Sequence, residues 1–154
     1  ERFRGVLDTG SPFALVSACT GERLAQGRCE EYCVRYGCSS PSAGRPAGLD
    51  DNFVVFSGAR TMAAWRRGRV ELGGVDFGEV RYGVLSEVQS YGGNAGGPNF
   101  GLIRAATDDP AIRPTFLGQT PYTAFAVDLR PDRAEHLELL PAAPAPPPAT
   151  SPPA

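Results

Sequence analysis

The chain reads FRGVLDTGSP over residues 3–12. Residues 3–8 are typical of a short strand, Thr9 and Gly10 are turn formers, and a second apolar run follows at 13–16. The pattern predicts a strand, a tight turn and another strand. It delivers Asp8 into a bend where backbone amides and hydroxyl groups can hold the carboxylate. Because Asp-x-Gly is also an ordinary surface turn, the rest of the sequence has to decide between the two interpretations.

Short apolar runs separated by turn residues continue along the chain and favour an all-β domain. The 19 Gly residues and the scarcity of long amphipathic periods point the same way. A turn at 57–60 between two β-rich runs predicts a hairpin, and residues 75–85 predict another. The later runs that read as strand, or as strand or turn, are 99–103, 122–129 and 137–140.

Composition indicates the domain organisation. Residues 1–140 are enough for one domain with its own core. Residues 141–154 are almost wholly Pro, Ala, Ser and Thr, with nothing large to bury. We therefore expect one lobe over residues 1–140, followed by a linker or disordered tail over 141–154.

Four cysteines, Cys19, Cys29, Cys33 and Cys38, lie close together in a segment with little periodicity. Two local disulfides are expected, with three pairings open. A zinc site is the alternative, but the spacings of nine, three and four residues, with no His nearby, do not resemble paired Cys-x-x-Cys clamps. We therefore expect no metal and an oxidising compartment, either secreted or vacuolar and lysosomal. The sequence shows no initiator Met, signal peptide or apolar span, so we expect a processed or excised piece of a longer protein.

The charge pattern excludes some classes of partner. The net charge is −2, and the basic residues are scattered apart from the Arg66–Arg69 cluster, so neither a nucleic-acid nor a membrane surface is implied. The Gly-rich run over 91–98 lacks the Lys of a phosphate-binding loop. We interpret the Arg cluster and His136 as solvated, and Trp65 as a packing residue.

The sequence resembles the amino-terminal lobe of the pepsin-like aspartic proteases at ordered landmarks over most of residues 3–130. Order and spacing carry this resemblance more than any one match. The landmarks are a catalytic turn at Asp8–Ser11, a cysteine-closed loop at Cys19–Cys38, a flap hairpin over 54–74 that ends in Gly-Gly, an aromatic-Gly pair at Tyr82-Gly83, a Gly101-Leu102 turn and a strand over 125–129.

The resemblance implies a partly open antiparallel barrel with a flap hairpin and a disulfide-bridged loop. It also implies an aspartic-type endopeptidase, in which two aspartates, one from each lobe, share a proton and activate a water without metal or cofactor. Asp8 would be one of the two, with Thr9 packing the turn, Gly10 as a member of the same motif, and Ser11 steadying the outer carboxylate oxygen. A peptide or protein would be the substrate.

The chain departs from the family pattern in ways that leave alternatives open. No second Asp-Thr-Gly or Asp-Ser-Gly follows residue 10. Either a carboxy-terminal lobe supplies the other Asp, or a second copy of the chain does, or the chain is a non-catalytic module that binds peptides or proteins. We favour the first, so that this chain is part of an enzyme and lacks the second acid by itself.

The flap tip also departs from the pattern. Phe56, Ser57 and Gly58 are the expected flap residues at the substrate cleft. Phe56 stands where the family has a Tyr, and Ser57 follows it in place of the family's Gly. Leu15 stands in the place of the family's Trp partner. The two changes are mutually consistent, because an apolar contact between Phe56 and Leu15 leaves no orphaned donor. The family's Asp-Gly ahead of its Gly-Leu turn is likewise replaced, here by residues 97–99. We expect an atypical flap over the cleft.

Overall fold

The computed structural model describes residues 5–19, 27, 33–34, 37–39, 43–56, 59–72, 74–89, 98–103, 113–128, 130 and 136–141. These residues are mostly strand, and the all-β prediction is confirmed. A short 3-10 helix covers Leu117–Gln119. The strands are β1 Val6–Asp8, β2 Ala14–Ser17, β3 Arg45–Pro46, β4 Asn52–Phe56, β5 Ala59–Leu72, β6 Val75–Gln89, β7 Asn99–Gly101, β8 Tyr122–Asp128 and β9 His136–Pro141.

The main sheet has the order β1-β7-β2-β6-β5-β3, with β4 paired to β5. Two of its pairs, β1 with β7 and β2 with β6, are parallel, and the others are antiparallel. The sheet is therefore mixed, which corrects the prediction of an antiparallel lobe. Parallel partners require long crossover connections, and the chain provides them between β2 and β6 and between β1 and β7. Closure into a partly open barrel stays a prediction.

Strands β5 and β6 form a long antiparallel hairpin whose register runs from Leu72 opposite Val75 to Arg60 opposite Gln89. The predicted hairpin within residues 75–85 is wrong, because β6 continues through them as one strand. Gly78, with a φ of 70°, lies at a β-bulge rather than at a reversal of the chain. The register shift there leaves Phe77 and Gly78 together opposite the single residue Val70.

The core of the main sheet lies on both sides of β2. Leu15 is fully buried and packs with Val54, Ala63 and Leu85, which come from β4, β5 and β6. Trp65 is also buried, as predicted for a packing residue. An aromatic cluster forms a second part of the core, with ring centroids 5.1 Å apart for Phe77 and Phe116 and 6.0 Å apart for Phe100 and Phe116.

Disulfide bonding in the cysteine segment is confirmed where the structure describes it. Cys33 and Cys38 are bonded, with their Cα atoms 4.9 Å apart. Cys19 is also disulfide-bonded. Cys29 lies outside the described residues. A disulfide fits the expected oxidising compartment.

The chain divides into two compact units, Glu1–Thr120 and Pro121–Ala154. The second unit contains the antiparallel β8–β9 hairpin, with Phe125 opposite Leu139. Both strands were predicted as strand runs. The lobe boundary at residue 140 stays a prediction. Of the tail predicted over 141–154, Pro141 is the last residue of β9, and the rest lies outside the described residues. Within the described part of the chain, no helix is long and apolar enough to cross a membrane.

Candidate active site

Asp8 is the last residue of β1, and the turn that follows holds its half-buried carboxylate. The backbone N–H of Gly10 donates to Asp8 Oδ1 at 2.7 Å. This is the local hydrogen bond by which an Asp side chain stabilises a turn two residues on. Ser11 is buried, whereas Thr9 is exposed. The predicted strand, turn and strand are confirmed, with Asp8 at the bend.

The side chain of Asn99 reaches this turn from a distant part of the chain. Its amide nitrogen Nδ2 donates to Asp8 Oδ2 at 3.0 Å and to Ser11 Oγ at 2.9 Å. Asn99 begins β7, which lies between β1 and β2 in the sheet although β1 and β2 are consecutive in sequence. The insertion of β7 between the two strands that flank the turn brings the amide to the carboxylate.

Backbone hydrogen bonds tie the turn to distant segments. They join Leu102 N to Asp8 O at 2.8 Å, Ile103 N to Ser11 O at 3.0 Å, Gly101 N to Phe13 O at 2.9 Å, and Phe116 N to Pro12 O at 2.7 Å. Backbone groups that leave water need such partners, so these bonds hold the turn in one place. The position of Asp8 therefore depends on β7 and on the segment near residue 116, as well as on the turn itself.

Gly101 allows the turn to approach β7 closely. A Cβ atom at position 101 would lie 2.5 Å from the Phe13 nitrogen, the Pro12 carbonyl carbon and the Ser11 oxygen. Only Gly fits between backbone atoms at that distance. Because side chains alternate along a strand, Asn99 and Gly101 lie on the same face of β7, which is the face toward the turn.

The pKa of Asp8 lies below its ordinary value of 3.8. The hydrogen bond from Asn99 is the largest cause, and the N–H of Gly10 is the next. Partial burial acts in the opposite direction, and the hydrogen bond with the Ser11 side chain lowers the pKa further. The groups that stabilise the charged form are therefore neutral donors. The carboxylate keeps its negative charge without an ion pair among these partners and can accept a proton.

A second Asp-x-Gly segment, Asp76-Phe77-Gly78, lies at the β6 bulge. The N–H of Gly78 donates to Asp76 Oδ1 at 2.9 Å, which repeats the local hydrogen bond of the Asp8 turn. However, the Asp76 carboxylate is exposed and forms an ion pair with Arg69, whose Nε donates to Oδ1 at 3.1 Å. The pKa of Asp76 is also lowered, with the Arg69 hydrogen bond as its largest cause.

The predicted flap residues are only partly described. Phe56 is the last residue of β4, whereas Ser57 and Gly58 lie outside the described residues. Val54 of the same strand packs against Leu15, so the β4–β5 hairpin starts beside the strand that follows the Asp8 turn. A contact between Phe56 and Leu15 stays a prediction, as does the position of the flap tip over the carboxylate.

The Arg66–Arg69 cluster lies on the β5–β6 hairpin. Arg67 Nε lies 2.8 Å from Glu79 Oε1, and Arg45 Nη2 lies 2.6 Å from the same oxygen. These side chains are largely exposed, so the ion pairs contribute little to stability. This arrangement agrees with a solvated face at Arg67 and Arg69, whereas Arg66 is only partly exposed and its Nε atom is buried.

Of the predicted site residues, the structure brings Asp8, Gly10 and Ser11 together, and it adds Asn99, which sequence reasoning did not assign to the site. Its position two residues before Gly101 puts Asn99 on the same face of β7 as Gly101, but no local signal in the sequence places that face at the Asp8 turn. Within the described ranges, no group of three or more His, Cys, Asp or Glu side chains is placed to hold a metal ion.

Comparisons with models of protein families, with curated proteins and with solved structures found no match. Function is therefore inferred from the Asp8 turn and from the ordered landmarks in the sequence.

Proposed function

We propose that this chain is one half of an aspartic-type endopeptidase and contributes Asp8 as a catalytic carboxylate. The observation that carries the proposal is the way this carboxylate is held. It accepts hydrogen bonds from Gly10 and Asn99 at the end of a strand, in a turn that is braced by β7. The landmark order of the pepsin-like proteases supports the same function.

The chemistry requires a carboxylate that is fixed in position and able to accept a proton. A general base is most effective when its geometry is set in advance and its charge is retained. The hydrogen bonds at Asp8 come from neutral groups, so they orient the carboxylate without cancelling its charge. In the proposed reaction, Asp8 takes a proton from a water that attacks the scissile carbonyl. A second carboxyl group donates a hydrogen bond to that carbonyl oxygen.

The second carboxyl group must come from outside the Asp8 turn, because the 154 residues contain a single Asp-Thr-Gly. A carboxy-terminal lobe is the proposed source, and a second copy of this chain is the other. Sedimentation distinguishes the two sources, since a symmetric pair of this chain sediments at twice the mass of a single copy. When two carboxyl groups share a site, their mutual repulsion favours a single shared proton, so activity is expected at acid pH.

The experiment is an acid proteolysis assay of the protein expressed from its complete gene. Wild type and Asp8→Asn are compared on a denatured protein substrate, with and without a pepstatin-type inhibitor. We expect inhibitor-sensitive cleavage by wild type and a loss of about 10²–10⁴-fold in kcat/KM for Asp8→Asn. Equal cleavage by the two proteins rules out the proposal.

A non-catalytic module that binds peptides or proteins is the second candidate. The lone Asp-Thr-Gly and the replacement of the family's flap pair by Phe56-Ser57 favour it. This candidate predicts that peptides bind to wild type without being cleaved at any acid pH. The downstream gene sequence separates the two functions, since a second apolar-Asp-Thr/Ser-Gly segment favours the enzyme.

A further inference from the structure

We propose that Asn99 is a positioning residue that selects the ionised form of Asp8 and thereby sets the lower pH limit of activity. The inference rests on the proposed protease function for its link to activity, but the underlying hydrogen-bond network can be measured without any cleavage. Asn99 is not part of the motif by which the turn was identified.

The side-chain amide of Asn99 has two acceptors. Asn99 Nδ2 lies 3.0 Å from Asp8 Oδ2 and 2.9 Å from Ser11 Oγ. An Asn side chain has two hydrogens on this nitrogen, and here each of them has an acceptor. One side chain therefore bridges the carboxylate and the neighbouring hydroxyl group, and it orients both.

The hydrogen bonds around Ser11 have defined donors and acceptors. A hydroxyl group can donate one hydrogen and accept others. Since Ser11 Oγ accepts from Asn99, its own hydrogen is left to donate, and the Asp8 carboxylate is the acceptor beside it. The charged carboxylate then receives hydrogen bonds from Gly10, Asn99 and Ser11. A proton on that carboxyl group would face these donors, so the network disfavours the neutral acid.

Asn99 is anchored by its place in the main sheet. The residue lies on β7, with β1 as a parallel neighbour and β2 as an antiparallel neighbour, opposite Val6 and Leu15. Pro98, which precedes it, is buried and accepts a hydrogen bond from Val6 N at 2.8 Å. The amide is therefore presented from a paired strand, and its geometry is set before any substrate binds.

The two carboxyl groups of the proposed site then have different roles. Asp8 is the proton acceptor, and the carboxyl group supplied by the second lobe carries the shared proton. Loss of the Asn99 amide makes protonation of Asp8 easier, so the acid limb of activity moves to higher pH. Because the amide acts through Asp8, substrate binding should change less than the rate of the chemical step.

The test is a carbon-13 NMR titration of the Asp carboxyl groups in the 154-residue chain. Wild type, Asn99→Leu and Asn99→Gln are compared. Leu has the same branched skeleton as Asn but no donor, whereas Gln keeps the amide. We expect the Asp8 midpoint to rise in Asn99→Leu and to return toward the wild-type value in Asn99→Gln.

Asp76 is the internal control, because it accepts the same local hydrogen bond but has Arg69 as its partner. Its midpoint should be the same in all three proteins. An unchanged Asp8 midpoint in Asn99→Leu overturns the proposal, and so does an equal shift of both aspartates.

If the Leu variant does not fold, Asn99→Asp replaces it in the titration. It places a second carboxyl group beside Asp8, so the Asp8 midpoint should rise as the two groups share a proton. A midpoint that stays at the wild-type value overturns the proposal.

Activity provides a separate readout. For the protein that cleaves substrate, the acid limb of kcat/KM should shift to higher pH in Asn99→Leu. If no form of the protein cleaves substrate, the proposed function fails, whereas the titration still decides whether Asn99 controls Asp8.

Discussion

The chain contains two Asp-x-Gly segments that share one local hydrogen bond and differ in the exposure and in the other partners of the carboxylate. In both, the Asp Oδ1 atom accepts from the Gly N–H two residues on, at 2.7 Å for Asp8 and 2.9 Å for Asp76. Asp8 is half-buried and bonded to Asn99, whereas Asp76 is exposed and paired with Arg69. The tripeptide pattern therefore specifies a local bend but not the surroundings of the carboxylate.

The surroundings differ because the two segments occupy different places in the sheet. Asp76 lies next to the hairpin end of β5 and β6, where its partner is only seven residues away. Asp8 lies at the end of β1, where β7 inserts and contributes a partner 91 residues away. A charged partner neutralises a carboxylate, and a neutral partner orients it. Asp8 is therefore held by neutral donors, whereas Asp76 is held mainly by a cation.

The largest difference in stability is expected between Ala substitutions at Gly101 and at Gly78. Gly101→Ala places a Cβ 2.5 Å from backbone atoms of the Asp8 turn, which should cost about 3 kcal/mol, as severe overpacking does. Gly78→Ala meets no neighbouring atom and should cost about 1 kcal/mol for its left-handed φ. Urea unfolding measures both. Equal costs would contradict the close packing of the turn on β7.

The dependence of stability on pH gives the next largest effect. Because the pKa of folded Asp8 lies below its ordinary value of 3.8, the ionised carboxylate stabilises the fold at higher pH. That contribution is fully present at pH values above the pKa of Asp8 in the unfolded chain. It is lost as the pH falls through the pKa of Asp8 in the folded chain. We expect Asp8→Asn to be less stable than wild type by about 1–2 kcal/mol near pH 6. The difference should shrink on acidification, and unfolding curves at several pH values will show whether it does.

High salt should change the pKa of Asp76 more than the pKa of Asp8. In about 1 M NaCl the Debye length falls to about 3 Å, which weakens an exposed ion pair. The pKa of Asp76, held down mainly by Arg69, should therefore rise toward its ordinary value. The pKa of Asp8, held down by neutral donors, should change less. Carboxyl titrations at low and high salt test this, and equal shifts would contradict the assignment of partners.

The smallest effect on stability is expected for Arg69→Ala. Removal of the guanidinium group should raise the pKa of Asp76 and leave that of Asp8 unchanged. Because the pair is exposed, the unfolding midpoint should barely move. A change in the Asp8 titration would show that the two carboxylates are electrostatically coupled.

Much of the strand content could be predicted from local pattern. The β-rich runs at β1, β2 and β8 are strands because their composition suits a pleated surface, whatever their partners. The hairpin predicted within residues 75–85 is a single strand with a bulge at Gly78, since a Gly with positive φ serves both structures and only the pairing distinguishes them. The parallel pairs β1–β7 and β2–β6 could not be predicted, because local pattern does not identify a strand's partner.

The candidate site was predictable in its local part alone. Asp8, Gly10 and Ser11 are adjacent in sequence, and their contacts follow from the turn. Asn99 could not be placed there because its contact depends on the insertion of β7 between β1 and β2. The energetically important partner of the carboxylate is therefore a consequence of topology.

The most direct test of the central claim is to compare Asp8→Asn with Asp76→Asn in the acid proteolysis assay. Both substitutions remove one carboxylate from an Asp-x-Gly segment and keep its size. Asp8→Asn should lose about 10²–10⁴-fold in kcat/KM, while Asp76→Asn should retain wild-type activity. Equal activity of the two variants would contradict the assignment of Asp8 as a catalytic carboxylate.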